Sequence, residues 1–299
     1  MDVKSFEEIF DNDFLRLFND SDDHDVIINV GKEPNSKTFS AHAVILCARS
    51  PYFSEELSSA SVANKKWTLS IRNVMEREFA IILKYIYTGI LEVDNADTYE
   101  LLLASCELKL HPLIDFLQGK IIQESSDWLS QKLIPMYHTA VKLAACKKLR
   151  SFCIEQIYCR PELVFDSPDF VTISEDLLVT LLNRDDLTLP EVKIWQLVIM
   201  WTLYRHPDIS KNPESWTDDS VNLLQNTIGR CIPHIRFFSI SGDDYMDKVR
   251  PYKKLLPREL KTDIENYHIC SETPVKSVTL PPRKPRNNTI LPNQNHNFS

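Results

Sequence analysis

The side chains able to do covalent, acid–base or metal chemistry are scattered along this 299-residue chain rather than gathered. Seven cysteines stand at Cys47, Cys106, Cys146, Cys153, Cys159, Cys231 and Cys270, and none forms a C-x-x-C pair. A zinc site needs closer pairs, or histidines at ligand spacing, so Cys146, Cys153 and Cys159 read as buried structural thiols. The histidines are isolated from one another; His42, at a strand end, and His138, inside a helix, read as satisfied residues of core or surface. The acidic cluster Asp20, Asp22, Asp23 and Asp25 lacks the central Gly and the closing Glu of a calcium loop and reads as a solvated turn. Glu55–Glu56 and Asp185–Asp186 are adjacent pairs, which also read as solvated turns. G-x-S-x-G, H-E-x-x-H and Walker patterns do not occur. Trp195, Trp201 and Tyr204 keep a helical spacing, so they read as helix core rather than a cofactor box. The expectation is a protein that is not an enzyme and holds no cofactor and no metal.

Composition narrows the class further. Hydrophobic residues make up 43% of the chain, enough for more than one buried core, and the length fits about two domains. There are only five glycines, so a helix-rich fold without a phosphate-cradling loop is expected. A net charge of −8 argues against a general binder of nucleic acid or membrane surfaces. The N-terminus has neither the basic region nor the apolar core of a signal peptide. No apolar run approaches the ~18 residues of a membrane span. Odd, unpaired cysteines without a secretory signal point to reduced thiols in the cytoplasm or nucleus.

The elements follow from periodicity. An amphipathic helix is predicted over Asp13 to Asn19. Val26, Ile27, Ile28 and Val30 form a β-branched run, read as a buried strand, with Thr38 to Ala41 folding back on it. Ala43 to Ala48 reads as a short apolar helix. Ser54 to Lys66 is polar and turn-like, and Trp67 to Ile71 alternates as a half-exposed strand should. Met75, Phe79, Ile82, Leu83 and Ile86 share one helix face, which Gly89 terminates. Tyr99, Leu102, Leu103, Cys106 and Leu110 mark the next helix; Leu113, Ile114, Leu117, Ile121 and Ile122 mark another. From Trp128 onward only helices are predicted, with Pro135 at the start or kink of one and Pro190 starting another whose core face is Ile194, Trp195, Val198, Ile199 and Thr202. Ser271 to Ser299, with five prolines and few apolar residues, is expected to be disordered. Its Pro281-Pro282-Arg283-Lys284-Pro285-Arg286 reads as a charged extended linker, with a polyproline ligand or a nuclear signal as alternatives.

The phrases A-H-x-x-x-L-x-x-R-S-P-Y-F at Ala41 to Phe53 and Y-I-Y-T-G at Tyr85 to Gly89 resemble the BTB/POZ domain. Farther on, L-L-x-R-D-D-L-x-L-x-E-x-x-I-W at Leu181 to Trp195 resembles the BACK domain, and P-x-x-R-F-F and K-V-R-P-Y resemble the end of a BACK unit of the fungal BTB–BACK kind. The implied plan is a short segment 1–12, an α+β BTB/POZ fold (a small sheet with helices) at 13–122, an all-α BACK-like domain at 128–267 and the basic tail 271–299. Neither a kelch propeller nor a TLDc domain is found in this sequence. The resemblance implies a homodimer whose interface uses Phe10, Phe14, Leu17, Phe18 and Asp25. It also implies a substrate adaptor that docks on a cullin-RING ubiquitin ligase and recruits a further protein, with no nucleic acid and no membrane. The cullin contact of such relatives is an apolar-x-Glu slot after the S-P-x-F phrase. Here that slot reads Ser61, Val62, Ala63, without the apolar anchor and without the acid. A dimeric scaffold in transcription or signalling, binding no cullin, therefore stays open beside the adaptor.

Overall fold

The computed structural model describes residues 13–20, 23–34, 36–59, 62–63, 66–92, 98–123, 129–269 and 275–284. They fall into two compact units, one within 1–129 and 135–155, the other within 130–134 and 156–299.

The first unit is built on a four-stranded sheet in the order β2-β1-β4-β3, with the two-residue β3 (Val62–Ala63) at one edge. The central strand is β1 (Val26–Val30), whose Val26, Ile28 and Val30 are fully buried. β2 (Lys37–Ala41) pairs with it antiparallel, Ile28 opposite Phe39. β4 (Lys66–Ile71) pairs on the other side in parallel, Ile28 opposite Leu69. A parallel pair needs a crossover, and helices α2 (Ala43–Arg49) and α3 (Pro51–Ser59) supply it. Residues 13–19 form helix α1, as their spacing predicts.

Helix α3 corrects the sequence reading, which left Ser54 to Ser59 as a turn. Three serines and two glutamates hide the helix in composition, but Phe53 and Leu57, four apart, are both buried. Pro51 is preorganised for a first helical position. The Ser50 hydroxyl accepts from the Phe53 N–H (3.3 Å) and donates to the Leu108 carbonyl (2.7 Å), so the start of α3 is capped and anchored together.

Helix α4 (Glu76–Thr88) buries Phe79, Ile82, Leu83 and Ile86 as expected. Gly89 closes it at φ 70°, its N–H on the Tyr85 carbonyl at 2.8 Å. Met75 is not on that face: it is the N-cap residue and points outward, 71% exposed. In α5 (Thr98–Glu107) the buried set is Thr98, Leu101, Leu102, Ala104 and Ser105, while Leu103 is exposed. The run Leu101-Leu102-Leu103 fits two helical phases, and the neighbours decided between them. Pro112 lies in the first turn of α6 (His111–Gln123), so it opens that helix rather than breaking the previous one: α5 already stops at Glu107, and Lys109 turns the chain at φ 52°. Gln118 of α6 is buried; its carbonyl accepts from the Leu149 N–H (3.0 Å) and its amide donates to the Ala145 carbonyl (3.3 Å). That contact satisfies the amino end of α8 (Lys147–Cys159). Pro135 sits inside α7 (Leu129–Lys142), not at its start.

The second unit is helical. It contains the one-turn α9 (Glu162–Phe165), α10 (Glu175–Leu182), α11 (Glu191–Tyr204), α12 (Asp218–Ile228), the one-turn α13 (Gly242–Asp244) and α14 (Arg258–Ile269). α11 runs through its centre, with Ile194, Trp195, Val198, Ile199 and Thr202 all buried as the sequence implied. The Trp195 indole N–H donates to the Lys248 carbonyl, and that of Trp201 to the Ile173 carbonyl, both at 3.0 Å. Each large ring is thus buried with its polar atom satisfied.

Residues 275–284 correct the expectation of a disordered tail over that stretch. They form neither helix nor strand but dock on the second unit, where one Asp263 carboxylate oxygen accepts from the Lys276 N–H (3.0 Å), the Ser277 N–H (2.6 Å) and the Ser277 hydroxyl (2.6 Å). The rest of the tail lies outside the described residues.

Candidate functional site

In the first unit, an open groove of about 800 Å³ is lined by α1, α2 and the end of α4. Its apolar walls are Phe14 and Leu17 from α1, Val44, Ile45 and Ala48 from α2, and Ile86 and Tyr87 from α4. Of these, Phe14, Leu17 and Val44 are large apolar side chains left exposed, Val44 by 75%. Such side chains gathered on one face mark an interaction surface.

Local contacts fix the groove's shape. The Phe18 ring packs edge-on to Tyr87 at 5.4 Å, which holds α1 against α4. The His42 N–H donates to the Tyr87 hydroxyl at 2.9 Å, and His42 Nδ1 lies 2.8 Å from the same oxygen. Burial pushes the Tyr87 phenol up from its ordinary pKa, so it stays a neutral hydrogen-bonding group. The Asp25 carboxylate accepts from the Ala43 N–H at 2.7 Å. His42 makes no side-chain cap, so Asp25 reaches across from the sheet to cap α2.

Two matches accompany this geometry: residues 14–125 match the BTB/POZ domain family, and residues 133–226 match the BACK family, "BTB And C-terminal Kelch". The chain joins a BTB/POZ domain to a BACK domain. Both are protein-interaction modules. Among curated proteins, Kelch-like protein 8 of Caenorhabditis elegans is 27% identical over 190 residues, covering 62% of this chain. The match spans only 25% of that relative's length. Among solved structures, the BTB domain of zebrafish PATZ1 is 25% identical, with a TM-score of 0.34, covering 42% of this chain and 97% of that one.

The BTB domain places the sequence-predicted residues unequally. Phe14 and Leu17 line the groove, and Phe18 supports it from beneath. Asp25 is half-buried and caps α2, while Asp23 lines the groove. Phe10 lies outside the described residues, as does Ser61. Val62 and Ala63 form a short edge strand, β3, antiparallel to β4 with Val62 opposite Trp67, rather than a loop.

Other chemistry-bearing residues come out differently from their sequence reading. Cys146 and Cys153 are buried but Cys159 is exposed. Cys106 and Cys146, 40 residues apart, bring their sulfurs to 3.5 Å. Among the described residues, no group of three His, Cys, Asp or Glu could hold a metal ion. None of their helices is long and apolar enough to cross a membrane.

Sequence reasoning missed a second constellation, built from the BACK-like phrase itself. Asp186 is not a solvated turn residue: its carboxylate takes both Nε and an Nη of Arg184, each at 2.8 Å. Glu191, at the start of α11, is buried. One of its oxygens accepts from the Arg236 backbone N–H at 3.0 Å, and the other accepts from Arg283 Nε at 2.5 Å. Arg236 is buried too; its Nη2 pairs with Asp185, and its Nη1 lies 3.9 Å from Glu191. The Arg283 guanidinium also donates to the carbonyls of Leu182 (3.0 Å), His234 (3.1 Å) and Arg184. The one sequence signal was the clustering of Arg184, Asp185, Asp186 and Glu191 in a single phrase. Nothing in it pointed to position 283.

Proposed function

We propose that this chain is a homodimeric adaptor. In this reading two BTB domains pair through the groove of α1 and α2, the BTB domain docks on a cullin of the cullin-3 class, and the recruited protein is presented for ubiquitination. The supporting observation for pairing is the apolar groove, which a lone copy leaves open to water. Stable interfaces of ordinary size bury about 1,600 Å² in total. The dimer-face residues in this reading are Phe10, Phe14, Leu17 and Phe18, with Asp25 holding α2 in place. The order of domains, and likeness over 190 residues to a Kelch-like protein, support the adaptor role. The protein acts by binding, not by catalysis, in the cytoplasm or nucleus. Light scattering at micromolar concentration tests the first part: twice the chain mass is expected, and a clean monomer rules the dimer out.

A second reading, a dimeric scaffold that binds no cullin, is favoured by one observation. The slot Ser61, Val62, Ala63 lacks both the apolar anchor and the acid. A buried apolar side chain contributes about 1.5–3 kcal/mol, and a hydrogen bond to a charged group about 1.5–3 kcal/mol. Losing both weakens binding more than about a hundredfold. Titration calorimetry against a cullin N-terminal domain separates the readings. The parent is expected to bind poorly, and Ser61→Met with Ala63→Glu at least about tenfold better. Nanomolar binding by the parent favours the adaptor and places the affinity outside this slot.

A further inference from the structure

The guanidinium of Arg283 is recognised as a ligand is recognised. Three of its nitrogens donate to four acceptors drawn from separate parts of the second unit: the Glu191 carboxylate and the carbonyls of Leu182, Arg184 and His234. Their sequence separations from Arg283 run from 49 to 101 residues, so no local turn accounts for the contact. The Arg283 side chain keeps only 5% of its exposure, and that of Glu191 only 6%. Leu182 ends α10, where helix carbonyls lack internal partners and the helix dipole favours a cation. Before Arg283 arrives, the buried Glu191 and the exposed Asp185 face one cation, Arg236, so the place is one positive charge short. The planar fork of arginine suits acceptors spread around it, whereas lysine offers its donors from a single nitrogen.

The main chain is read as well. The Lys284 N–H donates to the Asp185 carbonyl at 2.8 Å. Pro281 and Pro282 come just before the arginine, and prolines hold a segment extended, so little entropy is lost on docking.

We infer that the second unit carries a peptide-binding site specific for arginine in an extended Pro-Pro-Arg segment, filled here by the chain's own residues 281–284 and able to take the same segment from another molecule in competition with them. A tethered occupant acts at an effective concentration of about millimolar. The parent chain therefore resists a free peptide until that range, and loss of the Arg283 side chain opens the site.

The test uses the full chain, as parent and as Arg283→Ala, with a fluorescent synthetic peptide of residues 278–286. Anisotropy is expected to show at least about tenfold tighter peptide binding to Arg283→Ala than to the parent. A peptide with lysine in place of its first arginine is expected to lose at least about tenfold of that affinity. Circular dichroism shows whether Arg283→Ala remains folded. A folded variant that binds no peptide overturns the inference. So does equal binding to parent and variant, or equal binding of the arginine and lysine peptides, since attraction between charges would then be enough. A variant that unfolds overturns it too, because the segment would then be part of the core rather than a ligand.

Discussion

The groove of the BTB domain and the Glu191 site of the helical unit are opposite ways of leaving a surface ready for a partner. The groove is apolar, open and shaped by a few ring and cap contacts. Apolar surface is non-directional in what it accepts, so the groove indicates that something covers it but says little about orientation. The Glu191 site is charged and closed. Burying a carboxylate is tolerable only when it is paired and hydrogen-bonded, so the site dictates a fork of donors in one orientation. An apolar face can wait exposed for its partner. A buried charge cannot, and that is why the second site already has its occupant.

The largest effect is expected at the groove. Phe14→Asp together with Leu17→Asp removes two apolar side chains from the face, each contributing about 1.5–3 kcal/mol when buried. Light scattering should then show a monomer at concentrations where the parent is a dimer. Unchanged mass would mean that the groove is not where copies meet, and the contrast with the Glu191 site would lose one of its sides.

Next comes Trp195→Ala. Trp195 is fully buried, edge-on to Phe237 at 5.3 Å, with its N–H on the Lys248 carbonyl. Truncating a buried aromatic costs about 3–5 kcal/mol. The helical unit should melt far below the parent or aggregate, while the groove variants leave that unit's melting unchanged. A shift of only a degree or two would show that Trp195 is not a core anchor.

Arg283→Ala should cost less. Removing one partner of a buried ion pair can cost about 3–5 kcal/mol, but Glu191 keeps the Arg236 N–H and the nearby Arg236 guanidinium. About 1.5–3 kcal/mol, the range for a hydrogen bond to a charged group, is the expected loss. At about 2–4 °C per kcal/mol for a unit of this size, differential scanning fluorimetry should resolve it. A melting temperature equal to the parent's would mean that the guanidinium contributes nothing to the unit's stability.

The same contrast explains what could be read from sequence. The strand Val26–Val30 was legible as a β-branched run, and the face of α4 and the core face of α11 because burial on a helix recurs about every four residues. Phe14 and Leu17 were legible as apolar residues beside an acidic stretch. Helix α3 was obscured by its serines, since its stability comes from Ser50, Phe53 and Leu57 meeting residues distant in sequence. The Leu101–Leu103 run fixed a helix but not its phase. The docking of residues 275–284 was invisible because composition alone describes that stretch as unable to form a core of its own. It needs none, because it borrows Glu191 and Asp263 from the second unit. The approach of Cys106 to Cys146 was hidden for the same reason: no periodicity links residues 40 apart.

The smallest effect is expected at Asp263, the other anchor of that segment. The Ser277 hydroxyl, then the Ser277 and Lys276 amides, hydrogen-bond one carboxylate oxygen and hold this carboxyl below its ordinary range. A depressed folded-state pKa stabilises the fold above the unfolded value, about 3.9 for Asp, and that contribution fades as pH falls through the lowered folded value. Asp263→Asn keeps one acceptor oxygen but cannot titrate there. The parent should therefore exchange the Lys276 and Ser277 amide hydrogens more slowly than Asp263→Asn near pH 6, with the gap closing as pH falls below the unfolded value of about 3.9 and through the lowered folded one. Other acidic groups, such as Asp244 beside Lys248, titrate alike in both proteins and cancel in the comparison. A gap that stays constant through the acid range would mean that the charge on Asp263 does not hold the segment. The Glu191 site would then be its one electrostatic anchor, and Arg283→Ala should release residues 275–280 as well as 281–284.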